Sequence, residues 1–298
     1  MERLLQIIFN GLSQGSVYSL IALGLVVVYR GTGHLNFAQG EMALTGAYLT
    51  WQFDQWGIPL LIAALLAMVC GFALGAATEF FLVRPLGKKS PFAVFVATIA
   101  LFLGLNSLDG AIWGGEAKPY PNFFPNDDDD FIRILGAEWR YERLGVFVVM
   151  LVLTGLFFLL FKKTKLGLAM RAVASNSESA KLVGIPTNLV LMTSWGLAAA
   201  VGALGGSLIA SVNTNVNQLT MIVVFIAASA AATLGGFDSP GGAVLSGLFI
   251  GVLETGAADY FPDWIGQDLK ILPAFVVIMA VLLFRPAGLW GSSRVERV

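Results

Sequence analysis

Residues 59–83 read PLLIAALLAMVCGFALGAATEFFLV. No charged side chain occurs before Glu79, so 59–78 is an unbroken run of 20 apolar and small residues. At about 1.5 Å per residue, a helix of that length spans about 30 Å, the thickness of a bilayer's hydrocarbon core. Comparable runs recur at 4–29, 35–53, 91–113, 144–161, 188–211, 218–236, 240–258 and 270–285. The pattern predicts an all-α, polytopic membrane protein with eight or nine transmembrane helices, organised as one domain over 1–298. The count turns on 35–53, where Asn36, Gln39 and Glu41 near the start predict a broken or partly re-entrant helix. Composition agrees. The chain is 57% hydrophobic and 12% charged, against about 25% charged in a soluble domain.

Several function classes are excluded at this level. A net charge of −1 offers no polybasic footprint for nucleic acid. Cys70 is the only cysteine and His34 the only histidine, so an intramolecular disulfide and a two-histidine or cysteine metal cluster are impossible. Cys70 reads as a small apolar side chain facing a helix or lipid. The run Asp127–Asp130 lacks the alternating oxygen ligands and turn glycine of a calcium loop and reads as a solvated segment. The N-terminus lacks a convincing cleavage site, so the first apolar run reads as a retained helix.

Lysine and arginine asymmetry orients the spans. The stretch 84–89 holds Arg84, Lys88 and Lys89 without an acid. The stretch 162–181 holds Lys162, Lys163, Lys165, Arg171 and Lys181 against Glu178, and the tail holds Arg285, Arg294 and Arg297. These segments are expected in the cytoplasm. The connection 115–143 carries seven acids with Pro119, Pro121 and Pro125, and is expected outside; so is 259–269, with Asp259, Asp263 and Asp268. An odd span count then puts the N-terminus outside and the C-terminus in the cytoplasm.

Small residues gather at 196–210, 227–236 and 241–251, where helices in lipid can approach closely. Two polar or helix-breaking interruptions, Leu35–Gly46 and Leu234–Gly242, fall at what read as corresponding places in two halves. Such paired interruptions point to a site between inverted repeats in other transporters.

The segment Lys165–Pro186, KLGLAMRAVASNSESAKLVGIP, is polar and rich in small residues. It predicts a short helix along the membrane face, with Ser175 or Asn176 as a cap and Gly184 and Pro186 as terminators. It resembles the cytoplasmic coupling loop of branched-chain amino acid ABC importer permeases, G-x-x-x-R-A-x-x-x-N-x-x-x-A-x-x-x-G-I, through Gly167, Arg171, Ala172, Asn176, Ala180, Gly184 and Ile185. The segments 11–22 (GLSQGSVYSLIA), 35–48 (LNFAQGEMALTGAY), 232–247 (ATLGGFDSPGGAVLSG) and 284–291 (FRPAGLWG) resemble the same family, nearest its LivH-type members.

The resemblance implies a non-enzymatic pore subunit of the ABC importer permease fold, with inverted-repeat halves. Its implied partners are a second homologous permease, two cytoplasmic ATPases docked on the coupling loop at 163–187, an external solute-binding protein and membrane lipid. No G-x-x-x-x-G-K-[ST] sequence occurs, so no cofactor is expected on this chain and ATP and Mg²⁺ belong to the partner ATPases. Candidate pathway residues are Asn36, Gln39, Glu41 and Gln14, with Ser13, Asn213, Asn215 and Asn217 as further hydrogen-bonding groups. Glu41 is also a candidate partner of Arg30, whereas Glu79 and Glu254 read as solvated or snorkelling acids near span ends. Arg171 is the expected ion-pair partner of an ATPase acid, and the expected cycle is alternating access. Urea or short amides remain alternative solutes. An ion-coupled secondary transporter using Asp109, Glu41 or Glu254 is the rival class. An intramembrane enzyme lacks a titratable catalytic group.

Overall fold

In the computed structural model the described residues are 2–87, 90–261 and 272–291. In chain order they form α1 (Glu2–Thr32), α2 (Gln39–Gln55), α3 (Leu60–Thr78), a π-helical turn (Glu79–Val83), α4 (Arg84–Gly87) and α5 (Pro91–Trp113). Strands β1 (Lys118–Pro119), β2 (Phe131–Ile134) and β3 (Ala137–Arg140) follow, then α6 (Tyr141–Lys163), α7 (Lys165–Ser175) and α8 (Ser177–Leu182). The remainder is α9 (Thr187–Val212), β4 (Asn215–Val216), α10 (Thr220–Gly235), α11 (Pro240–Tyr260) and α12 (Leu272–Phe284). Each expected span contains a helix over most of its described residues; the 35–53 span is non-helical to Ala38 and continuous from Gln39. Among the described residues, six helices are long and apolar enough to cross a membrane; α10 and α12 are shorter apolar helices, and α2 has 17 residues. Lys88, Lys89, Asp263, Asp268, Arg294 and Arg297 lie outside the described residues.

The arrangement repeats itself upside down. α1 packs most extensively on α11, and α9 on α3. α2 packs on α9 and α3, as α10 does on α1 and α11; α5 lies on α2 as α12 lies on α10. The series α1-α2-α3-α5 is thus answered by α9-α10-α11-α12. α1 and α9 run in opposite senses, because Arg30 and Gly31 at the end of α1 and Ser194 near the start of α9 lie together beside Met170 and Arg171 of α7. This register corrects the expected pairing of interruptions. The coil before α2 corresponds to 213–219 before α10, and Leu234–Gly242 corresponds to the turn between α2 and α3. Both interruptions break helices, but at different steps of the repeat.

Side-chain size explains the packing. A Cβ added at Gly15 of α1 would sit 2.6 Å from the Gly247 carbonyl oxygen of α11, and one at Gly71 of α3 would sit 3.0 Å from the Ala199 carbonyl of α9. Only small residues let these backbones touch, which is what drives helix association where lipid removes the hydrophobic effect. The central helices are enclosed and the outer ones are not: 89% of the apolar window of α1 is buried, against 17% for α6. Leu61, Val69, Phe81, Leu103, Val152, Phe158 and Met279 are each more than half exposed, an apolar surface that suits lipid and not water. Cys70 is exposed on α3.

The 115–143 connection is more ordered than a solvated loop. It contains the antiparallel β2–β3 hairpin, and β1 pairs with β4. The hairpin docks on α1: Gln6 Nε2 donates to the Glu138 carbonyl at 2.8 Å, the Glu138 amide donates to Gln6 Oε1 at 2.9 Å, and Trp139 stacks on Phe9 at 4.7 Å. Tyr120 donates to the Ala47 carbonyl at 3.2 Å. Burial pushes its phenol well above the usual tyrosine value, so this tether stays protonated.

Gly15→Val is expected to destabilise the detergent-solubilised protein by the ~1–3 kcal/mol that overpacking costs, and so to lower its thermal midpoint. Gly241→Ala, where an added Cβ meets nothing within 4 Å, is expected not to lower it. Fluorescence melts of the two variants check the pair.

Candidate functional site

Two cavities, each of about 990 Å³, open at opposite ends of the column formed by α1, α10 and α11. One lies at the end that carries the 115–143 connection and is lined by Gln14, Tyr18, Arg143, Asn215, Asn217 and Glu254, among others. The other lies beside α7 and is lined by Arg30, Arg171, Ser175, Phe237, Asp238 and Trp290, among others. Between them, Ile21 and Leu25 of α1 and Ala228 and Ala231 of α10 are fully or almost fully buried in one apolar cluster. The column is therefore closed in its middle and open at both ends.

Gln14 lines the first cavity, and α1 supplies its neighbour one turn on. Gln14 Nε2 donates to the Tyr18 hydroxyl oxygen at 2.9 Å, and that hydroxyl donates to Glu254 Oε2 at 2.6 Å. Glu254 is 2% exposed, which corrects its reading as a solvated acid. It is a buried carboxylate held at a cavity wall. Arg143, at the start of α6, donates to Asn10 Oδ1 of α1 nearer the mouth. Asn217 Oδ1 accepts from the Leu219 amide at 2.9 Å and from Thr220 Oγ1 at 3.2 Å, starting α10. Tyr18 and Arg143 escaped sequence reasoning. The i to i+4 spacing of Gln14 and Tyr18 was a usable signal, whereas nothing local links Arg143 to Asn10.

Asn36, Gln39 and Glu41 are brought together elsewhere, inside the bundle. Asn36 Oδ1 accepts from the Ala38 amide at 3.1 Å and its Nδ2 donates to Gln39 Oε1 at 3.2 Å, shaping the turn into α2. Gln39 Nε2 donates to the Ala198 carbonyl of α9 at 2.8 Å, through the gap left by Gly24 and Gly202. Glu41 is fully buried; its Oε2 accepts from Asn106 Nδ2 of α5 at 3.1 Å, and its Oε1 has no partner among the described residues. Asn106, and not Arg30, is thus its contact. Asn106 and Gln218 also bond each other's backbone through their side chains, Gln218 Nε2 donating to the Asn106 carbonyl at 3.0 Å and Asn106 Nδ2 to the Gln218 carbonyl at 3.3 Å. Nearby, Thr45 donates to Asp109 Oδ2 at 2.9 Å. Asn36, Gln39 and Glu41 line neither large cavity. Glu79 is also buried and is clasped by Arg84 at 2.6 and 3.2 Å, so it too is no solvated acid.

The segment 165–185 forms two short helices. Thr164 caps α7 by accepting from the Gly167 amide at 3.0 Å, and Asn176 caps α8 by accepting from the Ser179 amide at 2.9 Å. Gly167 lies so close to the backbone of Leu160 and Phe161 that a side chain there would strike the end of α6. Arg171 donates to the Phe161 carbonyl and is half-buried. Ala180 is buried with Met170, Val173 and Val190, with Ala172 against this cluster. Gly184 ends α8 with φ +83°, a left-handed conformation that suits glycine. His34, in the turn after α1, is partly buried, and burial lowers its proton affinity below the usual histidine value.

Residues 7–284 match the family model described as the branched-chain amino acid transport system / permease component. The chain is 32% identical to the high-affinity branched-chain amino acid transport system permease protein BraD of Pseudomonas aeruginosa, over 99% of this chain and 98% of that protein. It is 30% identical to a probable branched-chain amino acid transport permease protein LivH of Methanocaldococcus jannaschii, over 91% and 88%. It is 26% identical to the galactose/methyl galactoside import permease protein MglC of Escherichia coli, over 92% and 84%. No solved structure matches.

Asn106→Leu removes the hydrogen bond to a carboxylate that has nowhere to hydrate. It is expected to cost ~1–3 kcal/mol of stability, and less than that when Glu41→Gln is already present. A double-mutant cycle of thermal midpoints reads the difference.

Proposed function

Because the chain belongs to the branched-chain amino acid transport permease family, we propose that it is the transmembrane pore subunit of an ATP-driven importer for branched-chain or other small hydrophobic amino acids. The observation that carries this is the family match along almost the whole chain to relatives named for branched-chain amino acids. The closed middle between the two cavities supports alternating access, since a path of this kind is never continuous from one side of the membrane to the other. The kinship with a permease named for galactose means that family alone does not set the solute. Urea and short amides therefore stay as alternative cargo.

The end that carries α7 and α8 faces the cytoplasm in this reading, which puts the N-terminus outside and the C-terminus inside a bacterial-type inner membrane. Arg30, Arg84, Lys162, Lys163, Lys165, Arg171 and Lys181 gather at that end, as the preference of basic residues for the cytoplasmic side demands. Two ATPases, carrying ATP and Mg²⁺, dock on the coupling loops of the permease pair, one of them on this chain's α7–α8 segment. A second homologous permease completes the path, and an external binding protein delivers solute above the β2–β3 hairpin. Gly167 and Arg171 weld α7 to the end of α6, Asn176, Ala180 and Gly184 shape α8, and Ala172 packs beneath them. In this arrangement Arg171 acts by holding the docking helix to the bundle, with its guanidinium turned to the Phe161 carbonyl.

Arg171→Glu replaces a donor with an acceptor opposite that carbonyl. In proteoliposomes holding the full complex with loaded binding protein, leucine uptake is expected to fall at least ~10-fold, since tenfold corresponds to one ordinary charged hydrogen bond. Stimulation of the ATPase by loaded binding protein is expected to disappear with it. Equal uptake by wild type and variant would remove Arg171 from the coupling path. Uptake of leucine, urea or amides that persists without the ATPases would replace the importer with an ion-coupled transporter.

A further inference from the structure

The cavity at the hairpin end holds three kinds of wall. Glu254 supplies a carboxylate, buried and fixed by the Tyr18 hydroxyl at 2.6 Å, and Gln14 donates to that hydroxyl's oxygen, which turns its proton toward the acid. Arg143 supplies a guanidinium. Leu219, Val223 and Val224 supply an apolar side. A buried acid in a membrane protein is costly, and this one, unlike Glu41 and Glu79, lines a large cavity, which points to a solute or ion path.

We propose that Glu254 binds the ammonium group of an α-amino acid passing through this cavity, so that the permease itself favours ammonium-bearing solutes over uncharged urea or amides. This rests on the importer function proposed above and deepens it. An amino acid leaving water for a narrow path must shed hydration from two charges. The ammonium finds the fixed carboxylate of Glu254, and the resulting charge-assisted hydrogen bonds offset that loss. The carboxylate of the solute meets Arg143 first. Arg143 is anchored at Asn10, about two turns of α1 before Tyr18, so the solute is oriented at the mouth before its ammonium reaches the floor. Its branched side chain lies against Leu219, Val223 and Val224.

The test uses the complete importer in proteoliposomes, with leucine as the probe. Wild type, Glu254→Gln, Arg143→Gln and Tyr18→Phe are compared for uptake and for ATPase stimulation by loaded binding protein. Glu254→Gln is expected to cut leucine uptake at least ~10-fold while stimulation survives, because docking and delivery do not pass through this residue. Arg143→Gln and Tyr18→Phe are expected to cut it about threefold. Wild-type uptake by an assembled Glu254→Gln complex overturns the inference and leaves the importer standing. Should Glu254→Gln fail to assemble, Tyr18→Phe decides, and unchanged uptake there overturns the inference. A wild-type complex that assembles, hydrolyses ATP and carries no leucine overturns the functional reading and the inference with it.

Discussion

Backbone-to-backbone contact between helices is the constraint on which the rest depends. In lipid, apolar side chains gain nothing by leaving the solvent, so a bundle needs close packing and internal hydrogen bonds instead. Gly11 and Gly15 of α1 meet Gly247 and Gly251 of α11, and Gly71 and Gly75 of α3 meet Trp195 and Ala199 of α9. These two seams are equivalent under the inverted repeat. They bring α1 and α9 to the centre and leave α5, α6 and α12 at the edge. Both cavities lie along α1, so the first seam also determines where the path runs.

The buried glutamates follow a second rule: each has a side-chain partner, and most of these partners come from a distant element. Glu79 has Arg84, Glu41 has Asn106, Glu254 has Tyr18 and Glu142 accepts from Ser211. Three of these four partners are more than 60 residues away in sequence. A buried carboxylate without such a partner would carry the full cost of lost hydration. The partners therefore decide which acid rests inside the packing and which faces a cavity.

This division explains how much was legible. Run length and hydropathy depend on local composition, so a helix could be read in each of the nine expected spans from runs such as 59–78. Cap chemistry is also local, and Asn176 could be read as one. The inverted repeat was visible only as a tendency, because its register depends on which helix each glycine touches; hence the mispaired interruptions. Acids near span ends look alike in sequence. Glu254 was read as solvated because Tyr18 lies 236 residues away, and Asn36, Gln39 and Glu41 were read as pathway groups because polarity alone does not say whether a side chain faces a cavity or a neighbouring helix.

The helix α6 joins the two ends of the molecule. Its last turn is fused to α7 through Gly167 and the Arg171–Phe161 bond, and its first turn carries Glu142 and Arg143. With 23 residues it is a rod about 34 Å long, and its flanks are mostly turned outward. It contains no proline to bend it. Stiff along its axis and loosely gripped at its sides, it has the mechanics of a pushrod. A displacement imposed at Phe161 arrives at Arg143, on the far side of the closed middle, without any side chain in between having to relay it.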